Sequence, residues 1–305
     1  MSLEKLFNNT LLISDIDLDG AGAIAISKDL IPNIEYKTPN RQEVDKTVQE
    51  AIKSNVFKHI ILTDCSIKEE ETAKLVDEFV SNGNHFIVLD HHATALWLNK
   101  YSWGAVKVET NGFKHSGTEL AYQYYKNLGF DVSKYEILVE LIRSYDTWDW
   151  TITSNQNANQ LNTLFWFWGL NTFLNKMDKV FKSDTTNIIR EEDLIILQTL
   201  EEVQRQYIDE KKKLFKVISF ENYKVAIIFA DKHSSILGNV ICDENEDIDI
   251  CAIINLDRES VSLRCKKGKA DCSEIAKRYN GGGHKEASGF PLNKEIKETI
   301  LKLIF

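Results

Sequence analysis

Proline is scarce, at three in 305 residues, so no Pro-rich spacer is available to hold domains apart. Cysteine is little better represented. The five residues Cys65, Cys242, Cys251, Cys265 and Cys272 are odd in number, and no two are spaced CxxC. That excludes a zinc ribbon or a disulfide scaffold and points to a reducing, cytoplasmic compartment. No stretch approaches the ~20 consecutive apolar residues of a membrane span. The opening Met1-Ser2-Leu3-Glu4-Lys5 lacks a basic patch leading into an apolar run, so no cleaved secretory leader is expected. Excess positive charge is missing too. A net charge of −9 argues against a protein that coats long nucleic acid by electrostatics alone. What remains is 43% hydrophobic and 27% charged, an ordinary globular composition, and the length suggests two domains.

The first ninety residues alternate short apolar runs with helical patterns. Thr10–Ile13, Ile34–Tyr36, His59–Thr63 and His85–Leu89 read as strands, and Ala21–Leu30, Glu43–Ser54 and Lys68–Ser81 as helices. The alternation implies an α/β domain with a mainly parallel sheet. From Ser116 the pattern turns helical, and Ser116-Gly117-Thr118-Glu119 has capping-box spacing. A second helix is expected over about Ser133–Tyr145. The stretch Leu161–Met177 carries Phe165-Trp166-Phe167-Trp168, read as core packing with base stacking the alternative. A charged helix near Glu191–Lys213 leads to a strand-rich block with Lys224–Phe229, Ile248–Asn255 and Ser260–Arg264, then a helix near Cys272–Tyr279. Expected domains are therefore residues 1–185, a helical connector at 186–213, and a smaller α/β domain at 214–305.

Three of the early strands run into aspartates: Asp15, Asp17 and Asp19, then Asp64, then Asp90 followed by His91 and His92. Sites in open parallel sheets gather beyond the carboxyl ends of strands. Any one such aspartate could be a cap or turn residue; the set is a candidate site. Hard divalent ions favour carboxylate oxygen, and an imidazole nitrogen shifts the preference toward Mn²⁺. Asp17, Asp19, Asp64, His91 and Asp146 could hold two such ions, with Asp64 the bridging candidate. Charge is also uneven. Eight basic against four acidic residues give +4 between Asp257 and Lys285, leaving −13 for the rest.

Asp15-Ile16-Asp17-Leu18-Asp19-Gly20, the later Asp64, Val88-Leu89-Asp90-His91-His92 and Asp146 in Tyr145-Asp146-Thr147-Trp148 resemble, in order, the motifs of DHH phosphoesterases. Gly281-Gly282-Gly283-His284-Lys285-Glu286-Ala287-Ser288-Gly289 is similar to the DHHA1 signature GGGHxxAAG, and Ser260–Arg264 also fits that domain. Together they span about Leu11 to Pro291. Within the family, Arg143–Trp150 and Asp90–Leu96 look most like the bacterial nanoRNases of the oligoribonuclease-B subgroup. The resemblance implies a two-manganese hydrolase, with Mg²⁺ as the other candidate ion. Its metal ligands would be Asp17, Asp19, Asp64, His91 and Asp146. Asp90 and His92 would be catalytic, with His92 meeting the scissile phosphate or its developing charge. In that subgroup a histidine falls at the position of Asp15. The aspartate here matches the DxDxDG of RecJ-type single-strand DNA exonucleases, so Asp15 is either a ligand or a support for Asp17.

The C-terminal motif has its own physical reading. Three glycines let backbone approach a ligand closely, and their N–H groups can form an anion-binding nest. Arg264 offers a bidentate fork and His284 a further donor. A glycine-rich turn is the alternative. Arg264, Gly281, Gly282, Gly283 and His284 are the expected substrate-binding residues. His59, His85, His115 and His233 lie outside the motifs and read as strand, cap and loop residues. The expected activity is exonucleolytic cleavage of short single-stranded RNA to nucleoside 5′-monophosphates, with no membrane and no obligate protein partner. Alternatives are a phosphatase or phosphodiesterase on small nucleotides (3′-phosphoadenosine 5′-phosphate or linear dinucleotides), a RecJ-like DNA exonuclease, or a catalytically dead binding module.

Overall fold

The computed structural model describes residues 7–31, 33–183, 187–293 and 298–299. The chain folds as two compact units, residues 1–197 and 198–305.

In the first unit, β1 (Thr10–Ser14) is buried along its whole length because both of its faces are covered. Leu12 packs with one core and Leu11 and Ile13 with the other, the period-two alternation of a strand between two helical layers. Helix α1 (Leu18–Leu30), β2 (Glu35–Lys37), α2 (Val44–Lys53), β3 (His59–Thr63), α3 (Glu70–Ser81) and β4 (His85–Asp90) follow in alternation. A 3₁₀ segment (Ala93–Lys100) leads to β5 (Gly104–Val106). The five strands lie in the order β2-β1-β3-β4-β5, all parallel. The order reverses between β1 and β3, which leaves a crevice at their carboxyl ends.

A small hairpin of β6 (Glu109–Thr110) and β7 (Phe113–Lys114) precedes α4 (Gly117–Asn127) and α5 (Glu136–Asp146). A single turn, α6 (Asp149–Thr153), and the long α7 (Gln156–Phe181) complete the helical part. Helix α7 encloses the stretch Leu161–Met177 and is broken at Gly169, whose φ of 72° is left-handed. The aromatic run divides around the helix. Phe165 is buried against Phe173, Trp168 is half-buried under the Lys176 ammonium, and Trp166 and Phe167 are exposed.

Helix α8 (Glu191–Lys211) contains the division between the units. The second unit holds a six-stranded mixed sheet in the order β12-β13-β11-β10-β9-β8. Its strands are β8 (Lys216–Phe220), β9 (Tyr223–Phe229), β10 (Ile250–Asn255), β11 (Ser260–Arg264), β12 (Gly282–Gly283) and β13 (Ala287–Pro291). Only β9 and β10 run parallel, joined through α9 (Ser234–Glu244), while α10 (Cys272–Arg278) precedes β12. All five cysteines are free and buried. No helix among the described residues is long and apolar enough to cross a membrane.

Candidate active site

The carboxyl ends of β1, β3 and β4 deliver the acidic motifs to one place. Asp17 is the N-cap of α1, its carboxylate accepting from the backbone N–H groups of Asp19 and Gly20 at 3.1 and 3.2 Å. Asp19, one residue into that helix, is buried and gripped by a second helix start. It accepts from Gly117 N–H at 2.5 Å and Thr118 N–H at 2.8 Å, and Thr118 Oγ1 donates to its carbonyl. These are orphan donors of the first turn of α4, turned to a carboxylate they suit electrostatically. Ser116 caps that helix as expected, accepting from Glu119 N–H at 3.3 Å. The reciprocal half of the capping box is absent because the Glu119 carboxylate turns instead to buried His115, 2.7 Å from Nδ1.

Asp64 sits just beyond β3 in a left-handed conformation (φ 55°), its N–H donating to Leu89 O. Gly117 is obligatory here, since a Cβ would lie 2.5 Å from that of Asp64. Across the crevice, His91 Nε2 lies 3.2 Å from Asp64 Oδ1, 3.5 Å from Asp146 Oδ2 and 3.7 Å from Asp19 Oδ2. A neutral imidazole has one N–H and cannot satisfy three carboxylates, so the arrangement is that of ligand atoms converging on a centre. Potential ligand atoms also converge in two further groups, Asp15, Asp17 and Asp64, and Asp64, Asp90, His91 and His92. Asp64 belongs to both.

The electrostatics favour a cation. Burial and the neighbouring carboxylates Asp19, Asp17 and Asp146 push the Asp64 carboxyl well above its usual range. Asp17 is raised by burial and Asp19, and Asp146 is pushed up to about 8 by burial, Asp19 and Asp17. Burial holds His91 below its ordinary value, keeping a nitrogen lone pair available. Asp64 Oδ2 and Asp90 Oδ2 are buried without a hydrogen-bond donor. Unpartnered carboxylate oxygens of this kind are costly unless a cation meets them, so these residues fit divalent metal ions.

Beside this cluster, Asp90 Oδ1 accepts from His92 Nδ1 at 2.7 Å and from the N–H groups of His91 and His92. Burial works to raise the Asp90 carboxyl, but the His92 side-chain hydrogen bond, the His92 charge, its backbone N–H and Ser66 together outweigh it and leave Asp90 below the ordinary value. The same bond raises His92. With Nδ1 committed to Asp90, His92 keeps Nε2 for another partner. It lines a cavity with Arg41, Ser66, Lys68 and Thr94. Asp15 is not a bare ligand: its Oδ2 accepts from Arg41 Nε at 2.8 Å and its Oδ1 from Ile16 N–H at 2.7 Å. Arg41 escaped the sequence reading. The available signal was its place in Thr38-Pro39-Asn40-Arg41, just past the carboxyl end of a parallel strand.

In the second unit, Arg264 ends β11 with Nη2 on Ser235 Oγ at 2.6 Å and Nη1 on Leu263 O at 2.8 Å. The glycines form strand rather than an open nest. Gly281 N–H donates to Ala276 O, closing α10, and a Cβ there would strike Gly289 O at 2.1 Å. Gly282 and Gly283 pair with Gly289 and Ser288, and His284 N–H donates to Ala287 O. Gly282, Gly283 and His284 are nonetheless exposed.

A parallel domain whose strand ends gather aspartates and a histidine pair, joined to a unit closed by a glycine hairpin, defines a phosphoesterase architecture. The chain belongs to the DHH family: the DHH family N-terminal domain matches residues 9–144 and the DHHA1 domain residues 221–305. It is 34% identical to oligoribonuclease NrnB of Bacillus subtilis, over 96% of this chain and 75% of that protein. It is 23% identical to a 3′,5′-cyclic-nucleotide phosphodiesterase of Helicobacter pylori, over 94% of this chain and 96% of that one. Among solved structures, Mn²⁺-bound RecJ from Thermus thermophilus shares the fold. The TM-score is 0.56 at 14% identity, covering 98% of this chain and 52% of that one.

Proposed function

We propose that this protein is a metal-dependent exonuclease that degrades short single-stranded RNA to nucleoside 5′-monophosphates in the cytoplasm. The observation that carries the reading is the convergence of His91 with Asp64, Asp146 and Asp19, beside two buried carboxylate oxygens that lack donors. Likeness to a named oligoribonuclease over nearly the whole chain supports the substrate class.

Asp17, Asp19, Asp64, His91 and Asp146 would hold two divalent cations, Mn²⁺ in preference to Mg²⁺, supplying water activation and charge neutralisation at phosphorus. Asp90 orients His92 through Nδ1 and keeps it cationic to higher pH, so Nε2 can donate to a phosphate oxygen as charge develops there. Arg41, fixed by Asp15, adds a positive group to the same cavity. Substrate phosphate is held by Arg264 and His284, with the exposed edge of Gly282 and Gly283, positioned by the half-buried Gly281, letting it approach backbone. In this reading the catalytic domain extends to about residue 185, a helical connector to 213, and the substrate-binding domain from 214.

The named cyclic-nucleotide phosphodiesterase relative supports a second reading, hydrolysis of a small nucleotide. One experiment separates the two. Enzyme and Mn²⁺ are incubated with 5′-labelled RNA and DNA from dinucleotides to long oligomers, beside 3′-phosphoadenosine 5′-phosphate and cyclic nucleotides. Fastest turnover of RNA dimers and short oligomers is expected; turnover of the small nucleotides alone would replace the reading.

A further inference from the structure

Two residues beyond Asp146, the chain exposes a tryptophan in a conformation that bulky residues avoid. Trp148 has φ 65° and ψ 10° and is 64% exposed. A left-handed backbone at a non-glycine residue costs of order 1 kcal/mol and persists only where the surroundings enforce it. Here they do. Trp148 N–H donates to Tyr145 O at 3.1 Å, and its carbonyl accepts from Thr151 N–H and Thr151 Oγ1. Arg143 anchors the turn from beneath. Its Nη1 donates to Asp149 Oδ2 at 2.7 Å, two further donors go to Glu140, and its guanidinium lies 4.4 Å from the Phe113 ring centroid.

The exposed indole is the top of a ladder. Trp148 stacks on Trp150 at 6.1 Å and 30°, and Trp150 on Tyr145 at 6.3 Å and 15°. Trp150 and Tyr145 pack against the hydrophobic core. The buried Trp150 indole N–H meets no acceptor, so ring packing alone holds it. A rigid, outward aromatic face costs little entropy when another flat ring lands on it. The Trp148 Cα lies at most about 7 Å from that of Asp146, one of the candidate metal ligands.

We propose that Trp148, braced by Trp150 and Tyr145, is a base-stacking platform for the nucleotide at the cleaved phosphate, an inference that rests on the nucleotide substrate class proposed above. Every base has a π-face, so such a platform selects for the presence of a base and not for its identity. The platform explains how a site built for phosphate would distinguish a nucleotide from a bare sugar phosphate.

Binding tests this without requiring turnover. The full-length protein with Mn²⁺ is titrated calorimetrically with AMP and with ribose 5-phosphate, as wild type, Trp148→Phe and Trp148→Leu. Wild type should prefer AMP by roughly 5- to 150-fold, the range of one stacked base. Trp148→Phe should keep most of that preference and Trp148→Leu should abolish it, with affinity for ribose 5-phosphate unchanged. An AMP preference that survives in Trp148→Leu, or its absence in wild type, overturns the platform. Dissociation of a wild-type dimer by Trp148→Leu, without change in AMP binding, would assign the face to a second copy of the chain. Failure to hydrolyse RNA, with the AMP preference intact, would overturn the exonuclease reading and leave the platform standing.

Discussion

At the scale of the residue, Asp15 and Arg41 are best understood as a pair. Both oxygens of Asp15 are occupied by donors, one of them Arg41 Nε, which sets Asp15 apart from the bare oxygens of Asp64 and Asp90. On the proposed reading, Asp15 chiefly holds Arg41 over the cavity, and metal retention would depend mainly on Asp17 and Asp64. Asp15→Asn and Arg41→Ala should each slow hydrolysis by roughly 10–100-fold, the range for groups that position others. Combined, they should lose little more than either alone, because each removes the same interaction. A double-mutant cycle on kcat/KM checks this. Multiplicative losses, together with a lowered Mn²⁺ affinity in Asp15→Asn, would make Asp15 a ligand in its own right.

Among the elements, those the sequence displays well are the ones whose burial follows a single rule. His59–Thr63 is bounded as read because its buried apolar run ends there, and Ser260–Arg264 because its alternation of buried and half-buried residues ends there. Lys216–Phe220 was missed because an exposed edge strand needs no apolar alternation. The 3₁₀ segment Ala93–Lys100 has no period that marks it. The aspartates were legible for the same reason as the strands: they punctuate apolar runs. Arg41 was not, as a lone arginine in a polar loop looks like any solvated side chain. Nor could the left-handed turn at Trp148 be read, since only the Arg143 anchor and its hydrogen bonds enforce it.

The paired starts of β3 and β4 carry a pH-sensitive contact. His59 and His85 stack at 4.6 Å and 8°, and burial with the neighbouring His85 lowers His59 from its ordinary 6.5 to about 4. The folded state therefore binds fewer protons than the unfolded one between those values, so stability should fall as pH drops from 6.5 toward 4. His59→Gln should flatten that part of the profile and leave pH 8 stability within about 0.5 kcal/mol of wild type. Urea midpoints across the window measure it; identical slopes in both proteins would contradict the assignment.

At the scale of the whole molecule, the proposed division of labour gives the chemistry to the acidic crevice and the grip on phosphate to Arg264 and His284, which lie in the +4 stretch Asp257–Lys285 of an otherwise acidic second unit. Arg264 spends two donors on Ser235 and Leu263, leaving others of its five for substrate. Arg264→Ala should raise KM roughly tenfold or more, as expected for a hydrogen bond to a charged group at about 1.5–3 kcal/mol. The effect should be greatest for dimers and fade for longer oligomers, which have other phosphates to hold, with metal content unchanged. A fall in metal occupancy instead would make Arg264 a support of the fold. Asp17, Asp19, Asp64, His91 and Asp146 are proposed to form one two-ion site, with Asp64 shared between the ions. A Mn²⁺ titration of the metal-free protein followed by electron paramagnetic resonance tests it most directly. Two ions per chain with a spin-coupled signal are expected, and Asp64→Ala should lose that coupling together with all hydrolysis. Uncoupled binding of a single ion in wild type, or coupling that survives in Asp64→Ala, would contradict it.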